Sequence, residues 1–173
     1  ASGRFHFFAL RDTTINAFAL PGGFIGVHSA LIETAQSASE LASVLAHEAA
    51  HVEQHHIARM VGKQAQSSLI MLASLLIAVL AARNSDQVAQ AAVAGGAAAG
   101  MQSQLSYSRE FEREADRIGL QTLDAAGFDV RGMPAFFERL QRESRLYENN
   151  APGYLRTHPL TTERIADLEN RVA

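Results

Sequence analysis

Four of the chain's seven histidines fall within ten residues, and a glutamate follows the first of them, in SVLAHEAAHVEQHH (43–56). His47-Glu48-Ala49-Ala50-His51 reads H-E-x-x-H, a pattern that acts as a unit only on a helix. Residues four apart share a helical face with Cβ atoms about 5–6 Å apart. Two imidazoles so placed can reach one ion through bonds of about 2.0–2.1 Å. Glu48 lies about 100° further round the helix. It stands beside the ion without ligating it, where it can take a proton from a water whose pKa the ion lowers toward about 7. The local sequence supplies the helix. Ser37 and Glu40 have capping-box spacing, and Leu41, Val44, Leu45 and Val52 follow at helical intervals. This predicts a helix over 38–60. His55 lies one turn past His51 and roughly 12 Å along the axis from His47, too far to share the same ion. His55 and His56 are expected at the surface or behind the ligands.

A catalytic zinc site keeps three protein ligands and one open position. The chain has no cysteine, so thiolate ligands and a cysteine nucleophile are excluded and the third ligand must be His, Asp or Glu. The best candidate segment is Glu112-Arg113-Glu114-Ala115-Asp116. Glu112 and Asp116 share a face as the two histidines do. The first can ligate, and the second can accept the N–H of a ligating imidazole and fix its tautomer. Glu110 and Glu114 are rivals for the ligand role. The plain alternative is a solvated helix whose acids pair with Arg109, Arg113 and Arg117.

At 173 residues the chain is long enough for one domain with a real core. The net charge of -3 argues against a nucleic-acid partner, which leaves a basic footprint. RFHFFALRDTTINAFALPGGFIGVHSALI, rich in aromatic and β-branched residues, predicts strands near 4–10, 15–20 and 23–28, with a hairpin at Pro21-Gly22-Gly23. Residues 69–82, LIMLASLLIAVLAA, are apolar all round, which predicts a helix buried in protein or in lipid. The run is shorter than the roughly 20 residues that span a bilayer, though extension back to Ala65 approaches that length. An Ala/Gly-rich segment follows, which reads as a close-packed helix interrupted at Gly95-Gly96 or as a mobile segment. Further helices are expected through 107–126, stopped by Gly127, from Pro134, and at the C-terminus after Pro159. The fold class is α+β, mostly α, in a single domain 1–173. Its parts are a β-hairpin region 1–30, the histidine helix 38–60, an apolar and Ala/Gly-rich helical segment 69–105, and a helical part 107–173.

H-E-x-x-H followed by E-x-x-x-D in YSREFEREADRIG resembles the gluzincin metalloproteases related to HtpX and the CAAX prenyl endopeptidases. INAFALPGG, SREFEREADRIG and THPLTTERIADL are similar to the soluble periplasmic branch of that family, the BepA and LoiP type. The resemblance covers nearly the whole chain. It implies a zincin-like domain with one zinc ion per chain on His47, His51 and Glu112, Glu48 as the base, and Asp116 supporting a ligand. It also singles out His158, in a His-Pro-Leu segment, as a fourth ligand that holds the enzyme inactive. On the residues alone His158 is a loop histidine. Arg164 matches a family arginine that can stabilise the oxyanion, with a surface pair to Asp167 or Asp124 as the alternative. An extended substrate peptide is expected along a strand edge, formed by Asn16, Ala17 and Phe18 or by Phe24 to Val27. Relatives of the BepA type carry a C-terminal TPR region, and this chain stops at Ala173 without one, as an excised protease domain or a short member would.

The resulting expectation is a zinc endopeptidase of the periplasm acting on misfolded or unassembled envelope proteins, outer-membrane proteins among them. The alternatives are a membrane-associated relative with 69–82 in the bilayer, and a chaperone or assembly factor with a latent metal site.

Overall fold

Gly26 makes the sheet possible. In the computed structural model, which describes residues 5–81, 85–146 and 152–173, it faces Phe8 on one neighbouring strand and Phe18 on the other. A Cβ there would meet the Phe18 ring at 2.5 Å and the Phe8 ring at 2.9 Å. The two rings cover the glycine and meet edge to face at 6.0 Å, so the missing side chain is replaced by aromatic cover from both sides. The strands are β1 (His6–Leu10), β2 (Ala17–Leu20) and β3 (Phe24–His28), in the order β1-β3-β2. β1 runs parallel to β3 and β2 antiparallel. The hairpin forms where expected, with Gly22 and Gly23 at φ of 91° and 86°, a region that suits glycine. β3 is the middle strand, so Phe24 to Val27 offers no edge; among the described residues the free edge near the histidines belongs to β2.

Two compact units divide the chain, one of residues 1–55 and 112–173 and one of residues 56–111. In the first, a short helix α1 (Ser29–Thr34) leads to α2 (Ala38–Glu53). Ser37 caps α2 by accepting the Glu40 N–H at 3.2 Å, and the Glu40 carboxylate reaches back to the Gln36 N–H. Glu40 also pairs with Arg139, whose guanidinium donates to the Thr34 carbonyl. This buried pair ties the start of α2 to the helix that carries Arg139. The C-terminal part of α4 (Asp86–Ala125) ends at Gly127, φ 77°. The Gly127 and Phe128 N–H groups bond back to Asp124 and Leu123, the Schellman arrangement that satisfies the last carbonyls. Next come α5 (Gly132–Leu146), α6 (Gly153–Thr157) and α7 (Thr162–Val172), the last capped by Thr161. Leu31, Val44, Leu123, Phe136, Phe137, Leu140 and Leu168 form the core of this unit.

Three expectations change. The helix expected over 38–60 ends at Glu53, and α3 (His56–Ala81) begins after a break in which His55 adopts φ 52°. No Gly or Pro marks that break in the sequence. His56 is buried rather than superficial, stacked on Phe111 at 4.3 Å within the second unit. Gly95-Gly96 does not interrupt α4; Gly96 lies where a Cβ would come within 2.0 Å of Ser74 Oγ, a close approach that glycine permits. The apolar run is helical, yet α3 buries only His56 and Ala78.

Gly119 sets the spacing of the two helices that carry the H-E-x-x-H and E-x-x-x-D motifs. A Cβ there would lie 3.0–3.2 Å from the backbone of His47 and Ala46. Gly119→Ala is expected to cost about 1–3 kcal/mol through overpacking, read as a fall in Tm of several degrees by thermal unfolding.

Candidate active site

Helical spacing turns His47 and His51 the same way from α2, and Glu112 and Asp116 the same way from α4. The turn after α6 brings His158 to meet them. One donor atom from each of His47, His51, Glu112 and His158 lies within 4.8 Å of all the others. Several of the separations are short. His47 Nε2 is 3.0 Å from His51 Nε2, 3.4 Å from Glu112 Oε2 and 3.4 Å from His158 Nδ1. Glu112 Oε1 is 3.4 Å from His51 Nε2 and 3.2 Å from His158 Nδ1. A tetrahedral site with arms of about 2.0–2.1 Å has edges of roughly 3.3–3.4 Å. The donor set therefore fits a divalent metal ion. Three imidazole nitrogens and a carboxylate crowded this closely need shared protons or a shared cation to relieve lone-pair repulsion.

The supports of these groups are also in place. His47 Nδ1 lies 3.0 Å from Asp116 Oδ1. A proton on Nδ1 donated to that carboxylate leaves the Nε2 lone pair directed into the cluster. Asp116 is gripped by Arg164, whose Nε and Nη2 each donate at 2.7 Å. The same guanidinium donates to the Pro159 carbonyl at 2.8 Å and lies 2.9 Å from Glu112. Arg164 is buried. It does not pair with Asp167 or Asp124 at the surface, and its contacts run to Asp116, Glu112 and Pro159. Glu110 is exposed and Glu114 half-buried, and neither belongs to the cluster.

Glu48 is buried beside the cluster, with Oε1 3.3 Å from His158 Nε2. Burial raises its pKa, partly offset by His158 and His47 and by the backbone N–H of Ala19. That last contact brings β2 beside Glu48. Asn16 and Phe18 are partly buried and Ala17 is fully buried. Burial pulls the His47 pKa down, but hydrogen bonds to Asp116 and Glu112 outweigh it and raise the value to about 9. Glu112, although burial opposes this, is held well below the usual carboxylate range by His158 and His47. The carboxylates around His47 favour its proton, the imidazoles around Glu112 favour its negative charge, and burial pushes Glu48 toward its neutral form.

Sequence reasoning missed Tyr154. It is fully buried, stacks on His158 at 4.6 Å, and its hydroxyl has no partner among the described residues. Its spacing of four from His158 was the available signal. It also missed the partners of Arg164, which are remote in sequence.

An H-E-x-x-H helix faced by a carboxylate from a second helix defines a metallopeptidase class of site. The chain belongs to peptidase family M48, matching it over residues 1–172. It is 47% identical to the putative beta-barrel assembly-enhancing protease of Vibrio cholerae over 167 residues, 96% of this chain and 34% of that protein. The beta-barrel assembly-enhancing protease of Escherichia coli K12 is 43% identical with the same coverage. The mitochondrial metalloendopeptidase OMA1 of Schizosaccharomyces pombe is 32% identical over 162 residues, 92% of this chain and 44% of that protein. The chain thus spans about a third of the beta-barrel assembly-enhancing relatives.

A pH dependence follows from His47. With a pKa of about 9, the metal-free imidazole cluster carries a proton below that pH, and a cation must displace it. Affinity for Co2+ is expected to rise about tenfold per pH unit from about pH 7 and to level off above about 9. Chelator competition at stepped pH measures this.

Proposed function

We propose that the chain is a zinc-dependent endopeptidase domain. His47, His51 and Glu112 would hold the ion, and an N/O donor set of this kind favours zinc over other divalent metals. When bound, zinc supplies Lewis acidity toward water and the scissile carbonyl. Glu48 takes the proton from the attacking water and delivers it to the departing amine. Its burial supports this role, because a raised pKa brings a carboxylate toward the operating range of a general base. Asp116, clamped by Arg164, holds the His47 imidazole in the tautomer and orientation that ligation needs. The free edge of β2, from Asn16 to Phe18, would take an extended polypeptide by backbone hydrogen bonding, which tolerates many side chains. The observation that carries the reading is the convergence of one donor atom from each of His47, His51, Glu112 and His158 to within 4.8 Å of one another.

His158 Nδ1 lies at hydrogen-bond distance from both Glu112 oxygens. In this reading the imidazole fills the position that water or substrate would need and keeps the enzyme closed. The names of the relatives favour polypeptides on the β-barrel assembly route as substrates, in a bacterial envelope compartment such as the periplasm. An assembly factor with a permanently latent site is the competing reading, since His158 closes the cluster.

Casein cleavage and metal content separate the two. Glu48→Gln is expected to abolish cleavage, by more than a hundredfold, while metal stays bound. Glu112→Gln is expected to lose metal. His158→Ala is expected to raise cleavage above wild type. A His158→Ala protein that holds zinc and still cleaves nothing would overturn the peptidase reading.

A further inference from the structure

The second unit inverts the burial rule of a water-soluble helical hairpin. On α3 the residues covered at least in part after the first turns are Lys63, Ser67, Ser74, Ala78 and Ala81. On α4 they are Ala89, Ala92, Gly96 and Gly100, continuing to Ser106. From Lys63 to Ala81 and from Ala89 to Gly100 these positions recur at three- and four-residue steps or their sum, so each set forms one stripe. The stripes meet where Gly96 closes on Ser74. The seam is therefore made of small side chains. The large apolar ones point outward: Leu69, Leu72, Leu76, Val79 and Leu80 are each more than half exposed, as is Met101 on α4.

Water would drive the opposite arrangement, with leucines in the seam. In lipid there is no hydrophobic drive between helices, and pairs associate through small residues that let backbones approach. Exposed apolar side chains at 69–72, 75–77, 79 and 80 surround α3 on all sides except the seam. A protein partner seats on a stripe of about 100°, whereas only a surrounding solvent meets the rest of a helix.

Charge agrees. No Asp, Glu, Lys or Arg lies between Lys63 and Arg83, nor between Asp86 and Arg109, in a chain that is 19% charged. At 1.5 Å per residue each stretch is about 28–33 Å long, against a hydrocarbon core of about 30 Å. α3 contains a window of mean hydropathy 1.8 of which 6% is buried. Arg59 lies over Phe111 and Lys63 lines the same pocket as Phe111, while Arg109 and Glu110 directly precede Phe111 in the sequence. Such a basic end suits anionic headgroups.

We propose that residues 56–111 form a helical hairpin that inserts in a phospholipid bilayer, with α3 supplying the apolar drive and α4 packing on it through the Ser67–Ala81 and Ala89–Gly100 stripes. The chain has no tryptophan, so a single introduced one is a clean probe. Leu76→Trp, with Phe128→Trp in the other unit as control, is added from dilute detergent to phosphatidylethanolamine/phosphatidylglycerol vesicles. Emission of Leu76→Trp is expected to shift to the blue only with vesicles and to be quenched by lipids brominated on the acyl chains; the control stays unchanged. Wild type is expected to float with the vesicles and to resist carbonate extraction, while Leu72→Glu plus Leu76→Glu stays at the bottom of the gradient. Wild type that fails to float overturns the proposal. So does a double variant that floats equally well, or a Leu76→Trp emission already blue-shifted without lipid. In that last case gel filtration tells cover by a second copy from cover within one chain. Metal content of each variant serves as the folding check, since these positions are remote in sequence from the ligands.

Discussion

Buried charge is the constraint around which the first unit is organised. Glu48, Glu112, Asp116 and Arg164 are all buried. With neutral imidazoles they leave two negative charges uncompensated. Isolated charges of this kind are not tolerated in a protein interior. Protons can relieve the imbalance in part, which is why the His47 pKa is driven up against the effect of burial. A divalent cation relieves it in full. Arg164 does the rest by dividing its guanidinium between Asp116 and Glu112. It neutralises one carboxylate and fixes the orientation of two. Its Nη1–H bond to the Pro159 carbonyl also anchors the chain next to His158. One side chain thus connects the acid helix, the ligand support and the loop that closes the cluster.

That connection continues to the sheet. The Tyr154 N–H bonds to the Ile15 carbonyl at 2.9 Å, and the His158 N–H bonds to the Tyr154 carbonyl at 2.8 Å. α6 therefore hangs between the residues preceding β2 and His158. The Tyr154 ring, buried and stacked on His158, keeps the imidazole from turning away. The β2 edge and the fourth donor are two ends of one short mechanical path. A change at either end has to pass through five residues of helix and one aromatic stack.

The sequence made local relations readable and left remote ones hidden. H-E-x-x-H and E-x-x-x-D were legible because helical period alone puts each pair on one face. Ser37, Gly127 and Thr161 act at helix ends through contacts a few residues away, so the ends they control are accessible to reading; Ser37 and Gly127 were read so. Strand order was not, because nothing local says that β3 lies in the middle. The surface pairing considered for Arg164 does not form, because its partner Asp116 lies in another helix. The break at His55 has no Gly or Pro to announce it. His56 was expected near the surface, since its ring partner Phe111 is far along the chain.

Burial in the two units follows opposite rules, and the comparison explains why one apolar run could not be assigned from composition. In the first unit Phe136, Phe137, Leu140 and Leu168 are fully enclosed, and the small residues there, such as Gly119, mark places where helices must approach closely. In the second unit close approach is again made by small residues, but the leucines lie outside it. A leucine-rich helix therefore carries the same composition whether protein or lipid surrounds it. What separates the cases is the residue type on the side that meets its neighbour. Ser74 against Gly96 is a contact with little apolar area to withdraw from water, so in water it would contribute little to holding the pair together. In the bilayer proposed for it, the outward leucines cost nothing and the hydrogen-bonded helical backbone needs no water.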